Sequence, residues 1–166
     1  MGDPVRGKHH QNVKIQFVNH SEGGPTLNAV DKQLKRIAEV FGEEEPPEVK
    51  EKTLKIFLKH LKQNVEFPCV LTGSEDFEWE EFYILGPGSK EEHKELRKEQ
   101  ASYLDTFDLI DFVIDPDGDE GLHAQVRRLS DKKIFILPLD YLKVKPRKSK
   151  NFELVSDYGV WFVNYR

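Results

Sequence analysis

At 166 residues, with 37% apolar and 33% charged side chains and a net charge of −5, the chain has the length of one domain with an N-terminal extension. Eleven Phe, five Tyr and two Trp supply enough apolar bulk to exclude disorder of the whole chain, and a single cysteine excludes an internal disulfide and a Cys-based zinc site. The negative balance argues against a general nucleic-acid binder; with no long apolar run to act as a signal peptide or membrane span, a cytoplasmic location without membrane partners is expected.

In chain order, the polar residues 1–12 read as a frayed terminus, and Val13, Ile15 and Phe17 alternate with Lys14 and Gln16 as a short strand would. Asn28 is placed to cap a helix carrying Val30, Leu34, Ile37, Ala38 and Phe41 on one face, which Gly42 ends. After the linker Glu43–Pro47, a second helix is predicted from Pro47 to about Asn64. Val49, Leu54, Phe57, Leu58 and Leu61 form its apolar face, and five lysines its wet one. Strand signals follow over Phe67–Leu71, Glu75–Leu85 (with a bulge near Glu80-Glu81), Phe107–Ile114, Leu122–Leu129 and Lys133–Pro138. Lys90–Gln100 reads as a solvated helix or a loop, Leu139–Leu142 as a 3₁₀ or helical turn, and Asn151–Arg166 as a helix or a strand. The expected fold is α+β: N-terminal helices, then a small antiparallel SH3-like β-barrel. Residues 1–48 form the extension and residues 49–166 the domain.

Charge is sorted along the chain. Glu75–Glu120 carries 16 acidic against 4 basic residues, whereas residues 121–166 carry 10 basic against 4 acidic. The acidic block ends in Asp115-Pro-Asp117-Gly-Asp119-Glu120-Gly121, where alternate carboxylates in a turn have the spacing that a hard, oxygen-seeking cation such as Ca²⁺ requires. An EF-hand is excluded: the sixth position from Asp115 is Glu120 rather than glycine, and the twelfth is Val126 rather than glutamate. The candidate metal ligands are therefore Asp115, Asp117, Asp119 and Glu120. Glu78 and Glu80, on one face of the strand expected there, are candidates to complete the set. A solvated Asp/Gly turn and a charged edge strand account for the same residues without a metal. Asp105, Asp108 and Asp111 step by three and read as caps and solvated carboxylates.

Other chemistry finds little support. Six histidines are scattered without ligand spacing, Cys69 sits in an apolar stretch, and no aromatic alternates with the basic residues of Lys143–Lys150, so a stacking platform for nucleic acid is missing there. No enzymatic activity is expected.

Phe67-Pro-Cys-Val-Leu71, Ile84-Leu-Gly-Pro-Gly88, Leu122–Leu129, Phe135-Ile-Leu-Pro-Leu139 and Tyr158–Asn164, in that order, resemble the bacterial calcium-binding protein family first described in cyanobacteria. The resemblance spans residues 49–166. It implies a small, acidic, cytosolic SH3-like protein that binds or buffers Ca²⁺, and it carries no individual ligand over to this chain. The alternative expectation is an SH3-like interaction module whose acidic face docks a basic protein partner without metal.

Overall fold

The computed structural model describes residues 27–115 and 121–166. The strand expected over Val13–Phe17 lies outside them. The described elements are α1 (Leu27–Val40), α2 (Glu51–Asn64), β1 (Val70–Gly73), a 3₁₀ turn (Glu78–Glu80) running into α3 (Glu81–Ile84), α4 (Lys90–Leu96), β2 (Thr106–Ile114), β3 (Leu122–Arg128), β4 (Ile134–Pro138), a second 3₁₀ turn (Leu139–Tyr141), β5 (Leu142–Lys145) and α5 (Lys150–Asn164).

Local chemistry sets several boundaries. α1 ends in a Schellman motif: Gly42 has φ +67°, its N–H donates to the Glu39 carbonyl at 3.1 Å, and the Glu43 N–H donates to the Ala38 carbonyl at 3.1 Å. α2 begins at Glu51 rather than Pro47, because the Thr53 hydroxyl accepts the Lys50 N–H at 2.8 Å and so fixes the first turn there. Ser89 and Ser149 cap α4 and α5 through their hydroxyls.

The sheet is antiparallel with strand order β4-β3-β2-β1-β5. Among the described residues it is an open five-stranded sheet, not the closed barrel expected from the sequence, and β4 and β5 are its edges. Nor are the helices confined to the N-terminus. α3 and α4 interrupt the strands, and the C-terminal segment, readable from sequence as helix or strand, is the 15-residue helix α5. The strand expected over Glu75–Leu85 is instead the 3₁₀ turn and the single turn of α3. The slip in apolar spacing at Glu80-Glu81 marked helical backbone, and the bulge lies on β2 between Leu109 and Asp111. The basic run at 143–150 contributes β5, an element the sequence reading did not separate.

Register sorts the side chains. Val144, Leu71, Phe107 and Arg128 form one cross-strand row on the core face, and Lys145, Val70, Asp108, Arg127 and Ile134 form a row on the other. The core continues into α1, α2 and α5, where Ile37, Phe57, Leu61, Tyr158 and Trp161 are fully buried. Phe57 and Trp161 stack at 5.1 Å, and Phe41 packs on Trp161 at 5.0 Å. The Trp161 indole N–H donates to the Pro47 carbonyl at 2.8 Å, strapping the α1–α2 linker to α5. α1 is held to α5 by Asp157, which accepts from Arg36 at 2.9 and 3.1 Å and from Gln33 at 3.0 Å. Burial pushes the Asp157 carboxyl up, and the Arg36 guanidinium opposes that shift. Part of the N-terminal extension is thus packed into the same core.

The chain re-enters β3 through Gly121, whose φ of +74° lies in the left-handed region. A Cβ at this position would come within 2.5 Å of Phe162 and of the Tyr158 hydroxyl, which itself accepts the Leu122 N–H at 2.7 Å. Gly121→Ala is therefore expected to destabilise the protein by about 1–3 kcal/mol, read as a lowered midpoint in urea with an unchanged slope.

Candidate functional site

Of the six candidate ligands, Glu78 and Glu80 lie near the start of β2 and Asp115 follows its end. Glu78 and Glu80 do not share the face of a strand. Glu78 is exposed, while Glu80 is fully buried. The reason is a set of four donors. Glu80 Oε1 accepts from the Ser102 hydroxyl at 2.5 Å and lies 3.0 Å from His93 Nε2. Its Oε2 accepts from the N–H groups of Tyr103 at 2.9 Å and Phe77 at 3.3 Å. Beside it the Trp79 indole donates to the Ala101 carbonyl at 2.8 Å, and His93 stacks on Tyr83 with ring centres 5.7 Å apart. A carboxylate satisfied this way is a tie between the 3₁₀ turn, α4 and the entry to β2.

Ser102 and Tyr103 precede β2, and Asp115 follows it. Nine strand residues at about 3.3 Å each put the two ends on the order of 25 Å apart. That separation sets Glu78 and Glu80 apart from Asp115. The physical cause is the helical backbone at Glu78–Ile84, which turns Glu80 inward to its donors.

At the other end of β2, Asp115 donates its N–H to the Gly121 carbonyl at 3.3 Å, closing the β2–β3 connection at its base. Tyr158 and Phe162 of α5 pack on Gly121 and Leu122, so the β3 end of the connection is anchored to the core and the Asp115 end is tied to it through Gly121. Asp117, Asp119 and Glu120 lie outside the described residues. Among the described residues there is no group of three or more His, Cys, Asp or Glu side chains placed to hold a metal ion.

Of the three aspartates that step by three, Asp105 and Asp111 are engaged. Asp105 accepts the Ser102 N–H at 2.8 Å, as a cap would, and pairs with Arg97 and Arg128 at 3.3 and 3.0 Å. Asp111 pairs with Lys62 at 3.6 Å. Cys69 is buried, and desolvation pushes its thiol up to about 11, against a hydrogen bond from Asn151. This is the state of a structural cysteine.

Sequence reasoning missed the most heavily bonded ion, Arg128, which is only 2% exposed. Its guanidinium donates to the carbonyls of Arg97 (2.8 Å), Lys98 (2.9 Å) and Gln100 (2.9 Å). It also forks onto Asp131 at 2.8 and 3.0 Å. The signal was present in the strand alternation, which puts Arg128 on the same side as Ala124 and Val126.

Glu80→Gln, which leaves an amide facing backbone N–H donors, is expected to cost about 1–3 kcal/mol. Any stabilisation by added cation should survive in this variant; loss of the cation response with the fold intact would restore Glu80 as a ligand. The Arg128 fork, assisted by the Lys133 N–H, holds the Asp131 carboxyl down at about 2 from an ordinary 3.8. A carboxyl lowered on folding stabilises above its unfolded value and loses that contribution as it protonates. The contribution is thus complete above about pH 4 and disappears as pH falls toward 2. Urea midpoints across that window should fall less steeply in Asp131→Asn than in the wild type.

Among the described residues no helix is long and apolar enough to cross a membrane. No family model, curated protein or solved structure matches the chain.

Proposed function

We propose that the protein is a non-enzymatic Ca²⁺ binder, a buffer or sensor, whose site is the β2–β3 connection with Asp115, Asp117, Asp119 and Glu120 as ligands. The observation that carries this reading is the pairing of sequence with anchorage. Four carboxylates fall within six residues, and the connection that bears them is closed by Asp115 and Gly121 and pinned to α5 at Gly121 and Leu122. Like charges gathered between fixed ends repel, and a hard divalent cation removes that cost while supplying the oxygen-rich coordination it prefers. The resemblance to the cyanobacterial-type calcium-binding family supports the same assignment. Remaining ligands would come from loop carbonyls and water rather than from Glu78 or Glu80.

A ligand at one hundred times its Kd stabilises the fold by about 2.7 kcal/mol. Thermal melts in EDTA, millimolar Ca²⁺ and matched Mg²⁺ are expected to give the highest Tm in Ca²⁺. Asp117→Asn with Asp119→Asn should raise the Tm in EDTA and abolish the Ca²⁺ increment. Equal melts in all three conditions, or a Ca²⁺ increment that persists in the double variant, would remove this loop as the site.

A second reading is an interaction module whose acidic surface docks a basic partner without metal. It is favoured by a separate observation: Glu75, Glu78, Glu81 and Glu91 are exposed and make no ion pair among the described residues. High salt would weaken such docking, whereas EDTA would leave it unchanged.

A further inference from the structure

The helical stretch that buries Glu80 presents a different surface outward. Phe82 and Leu85, at i and i+3 and so on one side of the turn, are 53% and 78% exposed, and Ile84 between them is 39% exposed. The following turn folds back, its Gly88 N–H donating to the Phe82 carbonyl at 3.0 Å. Scattered exposed apolar residues are ordinary, but three large ones within four positions make a patch.

The platform beneath the patch is fixed. Glu80 ties it to Ser102 and Tyr103, Trp79 to Ala101, and the Tyr83 hydroxyl donates to Glu92 at 3.2 Å. A patch on a rigid support loses little conformational freedom when covered. Its surroundings are acidic: residues 75–95 hold eight acidic and two basic side chains. Of these, Glu78, Glu81 and Glu91 are exposed and make no ion pair among the described residues, and this excess of negative charge close to the patch in sequence selects cationic partners over anionic ones.

We propose that Phe82, Ile84 and Leu85 form the docking surface for a basic amphipathic segment of a protein partner. Apolar side chains of the partner cover Phe82 and Leu85, and its Lys or Arg residues reach Glu78, Glu81 and Glu91. This rests on the acidic-surface reading above and gives it an address.

The test is fluorescence anisotropy on the full chain in EDTA with three short synthetic peptides: an amphipathic Lys/Leu helix, a Lys/Ser peptide of equal charge, and a Glu/Leu helix. The Lys/Leu peptide should bind about tenfold tighter than either control, and about tenfold weaker when NaCl is raised from roughly 0.05 to 0.5 M. Leu85→Ser should weaken it about fivefold or more with Tm unchanged. Leu85 is exposed enough for this variant to fold even where Phe82→Ser does not. Equal affinity for wild type and Leu85→Ser would overturn the patch while leaving the acidic-surface reading standing. No binding of the Lys/Leu peptide at about 1 mM would overturn both. A concentration-dependent dimer that Leu85→Ser abolishes would assign the patch to a second copy of the chain and overturn the partner proposal.

Discussion

A guanidinium withdrawn from water must find acceptors for its N–H groups, and Arg128 occupies a core-facing position of β3. That requirement organises one end of the molecule. The acceptors come from the end of α4, from Asp105 at the entry to β2 and from Asp131 in the β3–β4 turn, and the Phe135 ring lies 5.0 Å from the charge. Residues 97–105, which lie 23 to 31 positions earlier in the chain, and the adjoining β3–β4 turn converge on one cation. Residues 97–105 therefore follow a defined path, and the turn that carries Glu80 docks against that path.

Seen from this hub, the acidic block divides by chemistry. Glu80 and Asp105 face donors and act as structural ties. Glu78, Glu81 and Glu91 face solvent, near the exposed Phe82–Leu85 stretch in sequence. Asp115 stands at the base of a connection whose remaining carboxylates are packed closely in sequence. One block of like charge thus contains groups that stabilise the fold by being satisfied and groups that leave the surface acidic. The two functional proposals concern different members of the block, so one does not exclude the other.

The aromatic column of α5 is the second organising element. Tyr158 stacks on Phe162 at 5.6 Å and accepts the Leu122 N–H, while Trp161 stacks on Phe57 of α2 and reaches the linker at Pro47. α5 therefore touches both the helical layer and the start of β3. Its wide apolar coverage explains why the spacing of Leu154, Tyr158, Trp161 and Phe162 suited a helix, while Val160-Trp-Phe-Val163 also read as a strand. A helix buried on most sides loses the one-sided pattern that distinguishes the two.

By itself the sequence determined α1 and α2, the hairpin from β3 to β4 and the turn at Leu139–Tyr141. In each, apolar period and turn chemistry agree locally, and caps shifted the ends by only a few residues. It also determined the charge segregation and the Asp115–Glu120 spacing. The tertiary structure alone decided that the sheet stays open, that Lys143–Lys150 contributes an edge strand, and that Glu78–Ile84 is helical with Glu80 inside. Those outcomes depend on partners distant in the chain. Glu80 is buried because Ser102, 22 residues away, and its neighbours present donors to it, and no local pattern encodes a donor that arrives only when the chain has folded.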